Sequence, residues 1–168
     1  MAQIVTREYS GLWFHVMTHG IRGEVVFTGP GDYKAFLDIL MEASKLWDVG
    51  IAAYCLLPNR YHLLLQTEPG NLSRCISYIK WRYTAAFRKL HGGRGSLFQR
   101  GYKAVPVDED AYLFDLVRYI HRIPVQEGLS DKVDVYEWTS HRGYISETAQ
   151  WNWLRKDVIL SIISEKKR

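Results

Sequence analysis

The sequence predicts an α+β fold, a ferredoxin-like sandwich in which helices pack on a mainly antiparallel central sheet. Segments rich in β-forming residues alternate with segments whose apolar residues recur at helical spacing, in the order strand, helix, strand, strand, helix, strand, helix. The second and third strands are separated by a short turn, which suggests an antiparallel hairpin. The length of 168 residues and the 47% hydrophobic content predict a single domain covering the whole chain, with an extension from about residue 138.

The first half of the chain contains three predicted strands and one helix. Runs of β-branched, aromatic and other apolar residues indicate the strands, and glycines and prolines mark the turns between them. Helical spacing of apolar residues, preceded by an aspartate suited to the N-cap position, indicates the helix. The elements are a strand at Leu12–Thr18, a helix at Tyr33–Trp47 capped by Asp32, and strands at Ile51–Leu57 and Tyr61–Thr67.

The second half contains a long helix, a short strand and two further helices. A glycine-rich segment after His91 ends the long helix, and a proline within the strand predicts an edge or irregular position. Because the residue before a proline disfavours helical geometry, the third helix is expected to end before Pro124. Trp138–Tyr144 is typical of a loop. The elements are a helix from Asn71 or Ser73 to about Leu90, a strand at Lys103–Val107, a helix capped by Asp108, and a helix at Trp153–Ile163.

The composition indicates a cytoplasmic protein. Met1–Glu8 lacks the basic and then apolar layout of a secretory signal, and the apolar runs are far shorter than the roughly 20 residues of a membrane span. Cys55 and Cys75 fall in different predicted elements and form no metal-type pair. We interpret both as buried thiols.

The basic residues of the second half are concentrated in one segment. The net charge is only +4, but no Asp or Glu occurs between Lys80 and Lys103, where cationic and aromatic residues are interleaved. Proteins that bind single-stranded nucleic acid use cationic side chains to contact the phosphates and aromatic rings to stack on the bases. A solvated helix face is the alternative for any one residue, although such faces normally mix charges of both signs. Trp81 and Tyr83 are the candidate stacking residues, and the candidate DNA-binding cations are Lys80, Arg82, Arg88, Lys89, Arg94, Arg100 and Lys103.

Four segments, in the right order, resemble the REP-associated single-tyrosine transposases of the HUH superfamily. They are Asn59–Leu65 (NRYHLLL), Gly95–Arg100 (GSLFQR), Leu116–Val125 (LVRYIHRIPV) and Trp138–Tyr144 (WTSHRGY). The resemblance extends from about Trp13 to Leu160. It implies metal-assisted cleavage and rejoining of single-stranded DNA at a hairpin through a phosphotyrosine bond, and Tyr119 matches the nucleophile position.

The resemblance also implies a divalent metal, Mg²⁺ or Mn²⁺, with three ligand positions. Two are the outer residues of a His-hydrophobic-His triplet on a strand, and the third, Asn or Gln, lies four residues after the tyrosine. In this chain the triplet is Arg60-Tyr61-His62, and the third position is Ile123. A guanidinium repels cations and an isoleucine has no donor atom, so only His62 remains. We therefore expect that the metal is not bound.

The primary hypothesis is a DNA-binding protein derived from a transposase, which binds single-stranded or hairpin DNA and whose cleavage is lost or weakened. One alternative is an active transposase in which Arg60 grips the scissile phosphate in place of the metal, so that Tyr119 still cuts. Another is rescue of the metal by His15 or by His121, although a residue two positions from Tyr119 lies about 200° around the helix. An RNA-binding or interaction module on the same fold is a further alternative. No membrane partner is expected, and the oligomeric state is expected to be a monomer or a homodimer.

Each site residue also has a purely structural interpretation. Tyr119 could be a core aromatic of an amphipathic helix, and His62 a hydrogen-bonded core histidine. Arg60 could be an exposed turn residue, but its place in the motif favours a phosphate contact, which adds it to the candidate DNA-binding residues.

Overall fold

Four antiparallel strands form the centre of the protein. The computed structural model describes residues 11–68 and 70–166, so the N-terminal segment used above to infer the location lies outside the described residues. The strands are β1 (Leu12–His19), β2 (Val49–Leu57), β3 (Arg60–Thr67) and β4 (Lys103–Val107), in the spatial order β2-β3-β1-β4. This is the order of a ferredoxin-like sheet and confirms the predicted α+β class, with the proline-containing β4 at an edge.

One face of the sheet is covered by the two long helices. The helices α1 (Pro30–Leu46) and α2 (Asn71–His91) pack on Phe14 and Val16 of β1 and on Leu63 of β3 in the larger of two hydrophobic clusters. Successive strand residues point to opposite faces, so the alternate residues of β1 and β3 must face the other side. That other face carries the candidate site.

The second face is only partly covered. Helix α3 (Leu113–Gln126) packs on the β2 side of the sheet through Val117 and Ile120, together with Ile159 of α5 (Asp157–Lys166). Towards β4 the face opens to solvent, where Lys103 is exposed and Val105 is 43% exposed. An open trough therefore runs along β1 and β4 beside α3.

The prediction that the third helix ends before Pro124 was wrong. Pro124 lies inside α3, which continues to Gln126. A proline removes one helical hydrogen bond and crowds the preceding turn. Because Pro124 is buried next to Ile123 on the packed side of the helix, tertiary packing offsets this cost. The helix is also preceded by a 3₁₀ turn at Asp110–Tyr112, so that Asp108 does not cap it.

The interpretation of Trp138–Tyr144 as a loop was only partly right. The backbone amide of Leu56 donates to the carbonyl of Trp138 at 2.8 Å, and that of Ser140 donates to the carbonyl of Tyr54 at 3.1 Å. The segment thus pairs with the outer edge of β2, and the short helix α4 (His141–Ile145) follows directly. An open strand edge is covered in this way.

The first helix also begins earlier than predicted, and Asp32 is not its N-cap. Gly29 occupies that position, and the buried Asp32 carboxylate accepts hydrogen bonds from the amide and the hydroxyl of Thr28 at 2.9 and 2.7 Å. It also contacts Nε2 of His91, at the end of α2, at 2.8 Å. Burial opposes ionisation, but these hydrogen bonds outweigh it and lower the pKa of Asp32.

No described helix is both long and apolar enough to cross a membrane.

Candidate functional site

Two histidines from neighbouring strands meet on the open face. In the antiparallel register Leu64 lies opposite His15 and His62 lies opposite Met17, so the two imidazoles are diagonal neighbours on one face. Nε2 of His15 is 3.0 Å from Nδ1 of His62, a hydrogen-bond distance. Both side chains are buried, with 8% and 5% of their surface exposed. Of the two rescue residues considered above, His15 is therefore the one that the fold brings to His62.

Both imidazoles are uncharged at neutral pH. Burial lowers the pKa of His15 to about 4, and Lys103 adds to this effect. Burial lowers the pKa of His62 to about 3, with further contributions from His15 and Arg60. Neutral imidazoles can accept protons or bind metals, but this pair lies among positive charges that disfavour a cation.

Tyr119 lies at the rim of this histidine pair. Its neighbours on α3, Val117 and Ile120, are buried, whereas Tyr119 is 47% exposed. The ring centroids of Tyr119 and His15 are 6.2 Å apart, in an edge arrangement. The nucleophile position predicted from the motif is therefore accessible from solvent and is not a core aromatic.

Arg60 is held in an ion pair with Glu127, a residue that the sequence reasoning missed. The guanidinium donates to the carboxylate of Glu127, just beyond the end of α3, and to Oδ1 of Asn59 at 3.1 Å. Its side chain is 17% exposed, so it is not a free turn residue. Arg60 thus ties the start of β3 to the end of the helix that carries Tyr119. No motif identifies Glu127, because the two residues are 67 positions apart.

The third ligand position lies in the core. Ile123 is 3% exposed and belongs to the cluster between α3 and the sheet. Within residues 11–68 and 70–166, no group of three or more His, Cys, Asp or Glu side chains is arranged to hold a metal ion. Hard divalent cations require several oxygen ligands. A buried isoleucine, an ion-paired guanidinium and two imidazoles do not fit Mg²⁺ or Mn²⁺.

His121 points away from this site, as its angular position on α3 predicted. Its Nε2 lies 2.7 Å from the hydroxyl of Ser140, and its ring contacts His141 and Tyr144 edge-on. Burial, with a smaller effect of His141, lowers the pKa of His121 to about 3. The Trp138–Tyr144 motif therefore contributes Ser140 as an anchor between α3 and β2.

The predicted DNA-binding cations fall into two groups. Lys80 and Arg82 make contacts within the protein: Nζ of Lys80 donates to the carbonyls of Gln99 and Gly101 at 2.8 Å, and Arg82 pairs with Glu42 at 2.8 Å. Arg88 is half-buried over the ring of Phe87. The exposed members are Lys89, Arg94, Arg100 and Lys103.

Arg100 and Lys103 line a cavity beside the histidine pair. The cavity has a volume of about 400 Å³ and is also lined by Met17, His19 and Tyr102. Lys103 lies opposite Met17 in the sheet, next to His15. Burial lowers the pKa of His19, and the charges of Arg60 and Lys103 lower it further. His19, which the sequence reasoning did not select, completes the rim. Period-two alternation in β1 was the signal that could have found it, because His15 and His19 share a face.

A comparison with protein families identifies the class of protein to which this chain belongs. The profile of the family described as "Transposase IS200 like" matches residues 8–123. The chain belongs to this family. No protein with a curated description matches the sequence.

The solved structures that are similar to this chain include two transposases. One is a REP-associated tyrosine transposase bound to a REP hairpin, with 19% sequence identity, a TM-score of 0.69 and coverage of 84% of each chain. This likeness establishes the fold. The other, a candidate transposase from Deinococcus radiodurans in a crystal structure at 1.90 Å, has 21% identity and a TM-score of 0.46 over 69% of this chain and 94% of its own.

The buried histidines predict a loss of stability on mild acidification. Their folded-state pKa values lie below the ordinary value of about 6.5, so the unfolded chain binds more protons between about pH 6.5 and pH 4. The contribution of these neutral histidines to the free energy of unfolding is fully present above pH 6.5 and is lost as the pH falls. We expect the free energy of unfolding in urea to fall by up to about 1.4 kcal/mol per pH unit for each such histidine.

His121→Gln isolates one contribution to this slope. Glutamine retains a polar group near Ser140 but does not titrate. The free energy of unfolding should therefore fall less steeply between pH 6.5 and pH 4, by the contribution of one bound proton. Identical slopes for the wild type and the variant would show that His121 does not resist protonation in the folded state.

Proposed function

We propose that this protein binds single-stranded or hairpin DNA in the trough beside α3 and that its cleavage activity is lost or strongly weakened. The cationic cavity lined by Arg100, Lys103 and His19 carries this proposal. A phosphate there would meet Arg100 and Lys103, with no carboxylate among the lining residues. Lys103 also acts on His15, whose ring centroid lies 6.2 Å from that of Tyr119.

The similar structure of a REP-associated tyrosine transposase supports the choice of ligand. That protein is bound to a REP hairpin. At 19% identity the likeness carries the fold and not the contacts, so hairpin DNA is a proposal for this chain. The exposed cations Lys89 and Arg94 would extend the interface away from the trough.

Arg60 has a conditional place in this interface. As a DNA-binding residue it must exchange the carboxylate of Glu127 for a phosphate, because its guanidinium is already engaged. Glu127 is 39% exposed, so the exchange needs no unfolding of the core. Arg60 would then contribute less to binding than the exposed Arg100 and Lys103.

The proposed loss of cleavage follows from the altered ligand positions. Without a bound divalent ion, the charge that develops on the phosphate during attack by Tyr119 lacks its usual Lewis acid. The competing candidate is an active enzyme, favoured by the exposure of Tyr119 and by the contact of its ring with neutral His15. His15 could accept the phenolic proton, but Arg60 would have to leave Glu127 before it could take the place of the metal.

Hairpin binding is tested by electrophoretic shifts with a folded hairpin, an unstructured oligonucleotide and a duplex. We expect the hairpin to bind best. The double variant Arg100→Ala, Lys103→Ala should bind it at least tenfold more weakly. The slope of its log affinity against log salt concentration should fall by the amount expected for the loss of about two phosphate contacts. The matched control is Lys34→Ala, Lys45→Ala, which removes the same charge from α1 on the opposite face of the sheet.

Equal weakening by the two double variants would mean that only net charge matters and would contradict a localised interface. Equal or absent binding of all three DNAs would contradict the proposed ligand. Stronger binding of an RNA hairpin of the same sequence would favour the RNA-binding alternative.

Glu127→Gln is expected to tighten hairpin binding. The change removes the competing carboxylate and leaves Arg60 free to contact a phosphate, which should raise the affinity by about three- to tenfold, the effect of one charge-assisted contact. Asp38→Asn makes the same charge change on the exposed side of α1. An equal gain with Asp38→Asn, or no gain with Glu127→Gln, would remove Arg60 from the interface.

Loss of cleavage is tested by searching for a covalent protein–DNA adduct. We expect none when the wild type is incubated with hairpins in Mg²⁺ or Mn²⁺ and resolved on denaturing gels. An adduct that disappears in Tyr119→Phe would establish the active-transposase alternative. Tyr119→Phe should otherwise bind hairpin DNA as well as the wild type does.

A further inference from the structure

Trp81 is the exposed tryptophan of this protein. The chain has six tryptophans, all within the described ranges, and the other five are buried or half-buried. Trp81, on the outer surface of α2, is 66% exposed. Tyr83, the other candidate for base stacking, is 1% exposed and its hydroxyl donates to the carbonyl of Val26, so that assignment was wrong. The indole of Trp81 contacts the ring of Tyr78 at a centroid distance of 6.3 Å, and most of its surface remains open to solvent.

The indole forms one end of a shallow depression. Trp81, Thr84, Ala85 and Arg88 recur at the spacing of one helix face. Thr84 and Ala85 are small, which leaves space between the indole and the guanidinium. With Gly95 and Ser96 they line a cavity of about 410 Å³.

The cationic end of this depression is held in place by the glycine-rich segment. A β-carbon at Gly93 would come within 2.7 Å of the Arg88 guanidinium, so the side chain lies directly on the backbone at a residue with φ of +88°. Among the described residues, Nε of Arg88 is buried and has no hydrogen-bond partner. Arg94, exposed in the same segment, adds a second cation.

The depression is adjacent to the cationic cavity of the trough. Lys80 lines the depression and donates hydrogen bonds to the carbonyls of Gln99 and Gly101, and both of these residues line the trough cavity. The two cavities therefore lie on either side of one short loop. Since no acidic residue occurs between Lys80 and Lys103, nothing within that segment repels a phosphodiester strand that passes from one cavity to the other.

We propose that this depression, the α2 subsite, binds one unpaired nucleobase of DNA, stacked on the indole of Trp81 with its phosphate at Arg88 and Arg94. The inference rests on the proposed function, because it adds a base contact to the same DNA interface. An aromatic platform beside cations favours a nucleotide over an apolar protein segment. Stacking on an indole accepts any base, so the α2 subsite would strengthen binding of unpaired DNA without reading its sequence.

The test compares oligothymidylate with an oligonucleotide of equal length whose sugars carry no bases. Both present the same phosphates, but only the first can stack. Trp81→Ala should weaken binding of oligothymidylate about tenfold and leave the abasic strand unchanged, whereas Trp81→Phe should retain most of the affinity. The matched control is Leu90→Ala, which truncates a side chain that is 70% exposed on the same helix outside the subsite.

The outcomes separate the subsite from the proposed function. If Trp81→Ala leaves oligothymidylate binding unchanged while Arg100→Ala, Lys103→Ala weakens it, the α2 subsite is overturned and DNA binding stands. Equal weakening on both strands, or equal effects of Trp81→Ala and Leu90→Ala, also overturns stacking. If the wild type binds neither oligonucleotide nor the hairpin, both proposals fail. Unchanged thermal unfolding of Trp81→Ala verifies that the variant is folded.

Discussion

The antiparallel pairing of β1 with β3 at the centre of the sheet is the constraint on which the site depends. The register places His15 and His62 as diagonal neighbours and brings His19 opposite Arg60 on the same face. A shift of the strand pairing by one residue would turn every side chain of one strand to the opposite face of the sheet. The large apolar side chains on the other face of both strands are fully buried under α1 and α2, which excludes such a shift. The core on one side of the sheet therefore fixes the chemistry on the other.

The Arg60–Glu127 ion pair helps to hold the helix that carries Tyr119 over the sheet. In a metal-dependent site of this kind, a cation would join ligands from the strand and from the helix. Here a permanent cation on β3 joins a carboxylate at the end of α3, and Ile123 joins the apolar packing between them. Both contacts connect the same two elements as the metal would, but neither offers a vacant coordination position to a phosphate. These two contacts join β3 to α3 through protein side chains alone.

The fold also divides the basic segment by role. Lys80 holds the loop of residues 99–101 by two carbonyls, and Arg82 pairs with α1. Arg100 and Lys103 line the trough, and Arg88 lines the depression at Trp81. A sequence with uniform positive charge thus yields structural cations and candidate ligand-binding cations. Lys80, by binding the loop of residues 99–101, keeps the two cavities next to each other.

Local patterns in the sequence determined the class of fold and the approximate position of each main strand and helix. The resemblance of four motifs to a known family gave the expectation that Tyr119 is at the nucleophile position and that two metal ligands are replaced. These features depend on periodicity or on residues within one turn or strand. The pattern failed at Pro124 and at Trp138–Ser140, where burial and pairing with β2 override local propensity.

Only the tertiary structure decided which partners these residues have. The contact of His15 with His62, the engagement of Arg60 by Glu127 and the contrast between exposed Trp81 and buried Tyr83 join or separate residues by register and packing. Hydrogen bonds and ion pairs act over a few ångströms in space, whatever the separation along the chain. For the first two pairs that separation is 47 and 67 residues, beyond the reach of any local pattern.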